Sequence, residues 1–198
     1  MSQTVATVTS TINAGEQKNQ GAEFSLAWLA IDNKDGWLTS LRPWVTYTYT
    51  DAKYVSFKSD ANNNATTVDF SGNQVARVPK NMYNIGIDAD SHSGFYVNGT
   101  YQFVDKVPVT FDNSTWMKSY DILSAKVGYA TKFASHYLLD LSIGGTNLTN
   151  STYYTAIFVG PNYKGLAQGP DGGTGDGYIL PAPYGAQYFM NVKLTYVF

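Results

Sequence analysis

Apolar side chains recur at every second residue through most of this chain, and the three-to-four-residue spacing of an amphipathic helix is nearly absent. That period selects strands, because successive side chains of a strand point to opposite faces. The last segment shows it most plainly. Tyr188, Met190, Val192, Leu194, Tyr196 and Phe198 share one face, while Gln187, Asn191, Lys193 and Thr195 share the other, with Phe189 and Val197 as apolar exceptions. The same alternation marks Phe24/Leu26/Trp28, Leu41/Val45/Tyr47/Tyr49, Tyr83/Ile85/Ile87, Phe95/Val97/Tyr101/Phe103, Leu123/Val127/Tyr129 and Tyr137/Leu139/Leu141/Ile143. With a weakly patterned first strand over residues 3–13, the reading is all-β: about eight antiparallel strands, each near the ~9–11 residues that a tilted strand needs to cross a bilayer.

The connections sort by length. Asp32–Gly36, Ser91–Gly94 and Thr131–His136 are tight turns rich in turn formers. Between them lie longer polar loops at residues 52–78, 107–117 and 159–184, with a short link near Asn13–Asn19 as the exception. One rim therefore carries turns and the other carries loops, the asymmetry of outer-membrane barrels with short periplasmic turns and long extracellular loops. Each strand has one apolar-aromatic face and one face of Thr, Ser, Asn and Gly. Alternation alone does not say which face is inside, so a soluble β-sandwich that binds carbohydrate stays open, as does a free-standing eight-stranded barrel with a structural or adhesion role. Clustering of Trp37, Tyr49, Tyr54, Tyr129, Tyr137 and Tyr196 toward strand ends favours lipid on the apolar side, because such residues form interfacial girdles.

Composition removes other classes. Thirteen basic residues against 15 acidic ones give no basic excess for nucleic acid. The absence of cysteine excludes a disulfide scaffold. No stretch approaches the ~20 apolar residues of a spanning helix. The sequence MSQTVATVTS shows no signal-peptide pattern.

The final strand, YFMNVKLTYVF, resembles the C-terminal signal of bacterial outer-membrane barrels. Upstream, LLDLSIGGTNLTNSTYY is similar to the penultimate strand of TonB-dependent receptors, with Asn147-Leu148-Thr149-Asn150 and then Tyr153-Tyr154, Thr149 standing where the family has Phe. Asn13-Ala14-Gly15-Glu16, Gly21-Ala22-Glu23-Phe24, YTYTDAKY, Val78-Pro79-Lys80-Asn81 and SYDILSAKVGY follow in the family's order. The resemblance implies a bacterial outer-membrane location and a 22-stranded barrel around an N-terminal plug. Such receptors import iron–siderophore complexes, cobalamin or saccharides, with energy from the TonB complex. On this reading residues 1–198 are the C-terminal part of such a barrel, without plug or TonB motif, truncated upstream. Its expected partners are outer-membrane lipid, the barrel assembly machinery acting on Leu194, Tyr196 and Phe198, the TonB complex through a missing N-terminal region, and a small-molecule ligand.

Three charges on polar faces, Lys126, Asp140 and Lys193, sit about four to six residues from the turn rim, so an inward Lys–Asp–Lys ladder is expected to neutralise lumen charge. Ligand contacts are expected from the loops, at Tyr54, Lys58, Tyr163, Lys164, Tyr178 and Tyr184. No enzyme is read here and no cofactor or metal. His92 and His136 lie in separate turns, without the partners of a catalytic or metal cluster. The run GPDGGTGDG at Gly169–Gly177 lacks the ending of a phosphate loop. Asp171 and Asp176 lack the spacing and bidentate Glu of a calcium loop. Sequons at Asn64, Asn98, Asn113, Asn147 and Asn150 follow from a composition rich in Thr and Asn.

Overall fold

The strands form as the alternation predicts, and they pair with their sequence neighbours. The computed structural model describes residues 15–61, 66–158, 178–181 and 185–197. Its elements are β1 (Gly15–Ala27), β2 (Ile31–Asp32), β3 (Leu38–Ala61), β4 (Thr66–Asp69), β5 (Asn81–Ser91), β6 (Phe95–Val104), β7 (Val107–Pro108), β8 (Trp116–Met117), β9 (Tyr120–Phe133), β10 (Tyr137–Thr146), β11 (Tyr154–Phe158), β12 (Tyr178–Pro181) and β13 (Gln187–Tyr196). One antiparallel sheet runs β1-β3-β5-β6-β9-β10-β13, with β2 and β4 appended to β3. Two further pairs, β11-β12 and β7-β8, belong to the long connections.

Seven long strands are thus seen; the expected first strand over residues 3–13 lies outside the described residues. The link expected at Asn13–Asn19 is strand from Gly15 onward, paired with β3 from Gly15↔Phe57 to Ala27↔Trp44. The loop expected at 52–78 is likewise partly strand, since β3 continues to Ala61 and turns back through β4. Among the described residues β1 pairs within the sheet only with β3, and β13 only with β10, so the sheet is open. Both edge strands run from the loop rim to the turn rim.

The polarity of the sheet is inverted relative to a protein dissolved in water. Leu194 is 58% exposed, Val192 61% and Met190 77%, and Phe24, Leu26, Ile85, Ile87, Val97, Val127, Leu141 and Ile143 are exposed on the same face. Fully burying such a side chain is worth about 1.5–3 kcal/mol each, so this face requires an apolar surround. A sandwich would supply a second sheet; among the described residues none covers it. Acyl chains fit its height. The ten residues of β13, at about 3.4 Å each, run ~34 Å, and a tilt of about 40° brings this close to the ~25 Å apolar band of outer-membrane barrels. No helix among the described residues is long and apolar enough to cross a membrane.

Rings mark the lower border of the band. At the turn rim Phe133 stacks on Tyr137 at 5.4 Å, Tyr137 meets Tyr196 edge-on at 5.2 Å, and His136 lies 5.7 Å from Tyr196. Phe95 and Tyr129 pair at 4.8 Å just above. Amphipathic rings at this level suit the headgroup region.

Candidate functional site

The inner face is a polar lattice set by strand register. Arg42 faces Asp88, Asp88 faces Asn98, and Asn98 faces Lys126 on successive strands. Asn98 donates through Nδ2 to Asp88 Oδ1 at 2.7 Å, and Arg42 approaches the other carboxylate oxygen at 3.9 Å. A second link joins Asn84 Nδ2 to Thr46 Oγ1 at 3.1 Å. Paired in this way, polar side chains line a hollow without leaving their hydrogen-bonding groups unmatched.

Asp140 and Lys193 stand directly opposite each other on β10 and β13. Lys126 instead faces Gly144, four residues nearer the loop rim than Asp140. Tyr96 spans that offset. Its ring lies across Gly128 on β9, its hydroxyl donates to Asp140 Oδ1 at 2.8 Å on β10, and the Lys126 ammonium sits 5.1 Å from the ring centroid. None of the three ion pairs among the described residues includes Asp140. Lys126 and Asp140 therefore meet through a phenol that sequence reasoning passed over, while Lys193 faces Asp140 from the far strand. Its signal was available, since Tyr96 is in phase with Asn98 and Thr100 and so lies on the polar face.

The same construction recurs twice. A Cβ at Gly86 would enter the indole of Trp44, and one at Gly144 would meet the ring of Phe189. Trp44↔Gly86, Tyr96↔Gly128 and Gly144↔Phe189 are all directly opposed pairs on the inner face. Phe189, an exception to alternation, is explained: its ring covers a bare strip of neighbouring backbone.

Above the band the long connections build the buried core. Val75 donates its N–H to Ala52 O at 2.9 Å and Lys53 bridges Gln74 in antiparallel fashion, which runs residues 70–75 alongside β3 on the edge away from β1. Phe57, Phe70, Phe111 and Tyr54 form one ring cluster with centroids 4.8–6.1 Å apart. Gln74 and Asn113 exchange two hydrogen bonds: Gln74 N–H donates to Asn113 Oδ1 at 2.8 Å, and Asn113 Nδ2 to Gln74 O at 2.9 Å. Asn73 Nδ2 donates to Phe111 O at 2.9 Å, and the Arg77 N–H to Pro108 O at 3.0 Å. Beneath them Val107, Val109 and Met117 form a small apolar core, with Thr110 fully buried.

Tyr54, expected in a girdle and as a ligand contact, packs within this cluster. Burial pushes its phenol pKa up, partly offset by the hydrogen bond from Ala76 N–H. Lys58 pairs with Asp69 at 3.9 Å across β3 and β4. Hydrogen bonds from the Ser71 hydroxyl and amide, with Lys58 beside them, hold the Asp69 carboxyl below its usual range. His92 and His136 sit in the tight turns as expected. Asn113, Asn147 and Asn150, three of the sequon positions, adopt left-handed backbone in the loops, a conformation Asn tolerates. Tyr178 begins β12, and nothing is described of its side chain. Tyr163, Lys164, Tyr184, Phe198, Asn64 and the Gly169–Gly177 run with Asp171 and Asp176 lie outside the described residues.

Comparison with known proteins now has a geometry to meet. The family model described as TonB dependent receptor-like, beta-barrel matches residues 1–148. The chain belongs to the TonB-dependent receptor β-barrel family. It is a family of receptors, not of enzymes. No curated protein sequence matches the chain. In fold, this receptor barrel is similar to the crystal structure of the siderophore receptor PiuA from Acinetobacter baumannii, with a TM-score of 0.66 and 22% identity over 92% of this chain. The match takes in 22% of that receptor's length.

Proposed function

We propose that residues 1–198 are the C-terminal portion of a 22-stranded outer-membrane receptor barrel that imports a scarce small molecule with energy from the TonB complex. The observation that supports this reading is the inverted polarity of the sheet: side chains such as Leu194 and Val192 are exposed on one face, while the Arg42–Asp88–Asn98 row and the Tyr96–Asp140 pair lie on the other. A wall of this kind binds and guides; it performs no bond chemistry. Asp140, between Lys193 on the next strand and Lys126 across Tyr96, offsets part of the positive charge on the lumen wall. Ligand capture falls to the loops, with Tyr163, Lys164, Tyr178 and Tyr184 in the last connection and Lys58 on β3, while Tyr54 is held in the ring cluster and supports the loop core instead. Leu194, Tyr196 and Phe198 present the alternating apolar edge that assembly machinery reads.

The test is uptake. Cells producing the complete receptor are expected to accumulate a radiolabelled ferric chelate, cobalamin or oligosaccharide, and to stop when TonB is deleted. Uptake of none of these, or uptake that survives loss of TonB, overturns the reading.

A further inference from the structure

The loops above the wall concentrate unpaired positive charge. Segments 70–80 and 105–119 contain Arg77, Lys80, Lys106 and Lys118 against Asp105 and Asp112. Both acids accept from neutral donors and not from a cation, and with their charges counted the two segments keep a net charge of +2 (four cations less two carboxylates). Asp105 accepts from Asn81 Nδ2 and from the Lys106 amide, each at 2.8 Å. Asp112 accepts from the Ser114 amide at 3.0 Å and its hydroxyl at 2.8 Å. None of the ion pairs among the described residues includes any of the four cations.

Arg77 is the most constrained of them. Its φ is +69°, a region non-glycine residues seldom occupy and one that is retained when the surroundings over-determine it. Here the buried Val75 and Ala76 precede it and Pro108 O holds its N–H, while the side chain itself is exposed. Lys80 and Lys106 are brought alongside by the ladder that pairs Met82 with Val104 and continues through Asp105 N–H to Asn81 O. The aromatic groups nearby are already occupied: Trp116 has the Lys106 ammonium over its ring at 5.0 Å, and Phe111 and Tyr54 pack on each other. Charge is what this surface has left to offer.

We propose that the junction of these two loops is an anion-binding site, with Arg77 as its anchor and Lys80 and Lys106 beside it, so that the receptor's ligand presents carboxylate-type or phosphate-type oxygens. This rests on the receptor reading above and narrows its ligand class. A guanidinium fork suits such oxygens because it donates two parallel, charge-assisted hydrogen bonds.

The test titrates the full chain, folded in detergent micelles, with ferric citrate (anionic), ferrioxamine B (cationic) and maltotriose (neutral), following tryptophan fluorescence. Ferric citrate alone is expected to bind. Arg77→Gly keeps the left-handed backbone and removes the guanidinium, and it is expected to weaken that binding about tenfold or more, with Arg77→Lys falling between the two. Lys132→Gln, at the opposite rim, serves as control, and circular dichroism checks that each variant folds alike. Ferric citrate affinity unchanged in Arg77→Gly combined with Lys106→Gln overturns the site, as does absence of ferric citrate binding. Maltotriose binding that ignores Arg77→Gly also overturns it and leaves the receptor reading standing, since that reading falls only with TonB-dependent uptake.

Discussion

Tyr96 ties three strands together because one position on the middle strand has no side chain. On β9 its ring occupies the space above Gly128, and only from there does its hydroxyl reach Asp140 on β10. The glycine is thus required by close approach, not by backbone conformation. Gly128→Ala is expected to displace the ring, leave Asp140 without its donor and destabilise the sheet by about 1–3 kcal/mol, the usual cost of overpacking. Gly99→Ala is the comparison. It lies on the apolar face, where an added Cβ meets a single atom, Ile87 Cγ2 at 3.3 Å, a contact relieved by a shift of a few tenths of an ångström, and a loss of no more than about 0.5 kcal/mol is expected there. Urea midpoints of the two variants folded in detergent decide the matter; equal midpoints would show that Tyr96 has no structural dependence on the gap beneath it.

Strands were legible in the sequence only where one of their faces touches an apolar medium. Within the band the long strands alternate, and Leu41–Tyr49, Tyr83–Ile87 and Tyr188–Tyr196 present their apolar residues on one face as the alternation predicts. Above the band both faces of a strand meet water or loop, so nothing imposes a period of two. That is why GEQKNQ at the start of β1 looked like a link and DAKYVSFKSDA at the end of β3 looked like a loop. The inner-face lattice was hidden for a different reason. Arg42, Asp88 and Asn98 become neighbours only through inter-strand register, which no local pattern encodes. The loop core depends on a comparable long-range pairing, the reciprocal amide bonds of Gln74 and Asn113. Asn113 also adopts φ +58°, so Asn113→Gly preserves the backbone and removes only the side-chain bonds. It is expected to cost about 2 kcal/mol, since two buried groups lose partners. Hydrogen exchange should show the amides of Gln74, Val75 and Arg77 losing protection while β5 and β6 keep theirs. Uniform loss across the sheet would mean that the loop core and the wall are one cooperative unit.

At the scale of the molecule, the decisive property is the parity of the sheet. Seven long strands in an antiparallel order leave β1 and β13 running in the same direction. These two edges therefore cannot close on each other in antiparallel fashion, and two copies sharing one membrane orientation cannot close edge to edge either. Antiparallel closure requires an odd number of further strands. A 22-stranded receptor supplies an odd number, and so would a single strand from residues 3–13, which is the free-standing eight-stranded alternative. The absence of native cysteine makes the two separable by crosslinking. Cysteines at Val8 and Val192 form a disulfide if the early segment lies beside β13, because bridged Cα atoms sit about 4.4–6.8 Å apart; neighbouring residues 4–12 tested in turn cover the possible registers. The receptor reading expects no efficient crosslink at any register, and expects the same chain, without detergent, to associate through its exposed edges and apolar face. A crosslink at one register, with the chain monomeric in lipid vesicles, would make the sheet a small closed barrel and remove the need for upstream strands.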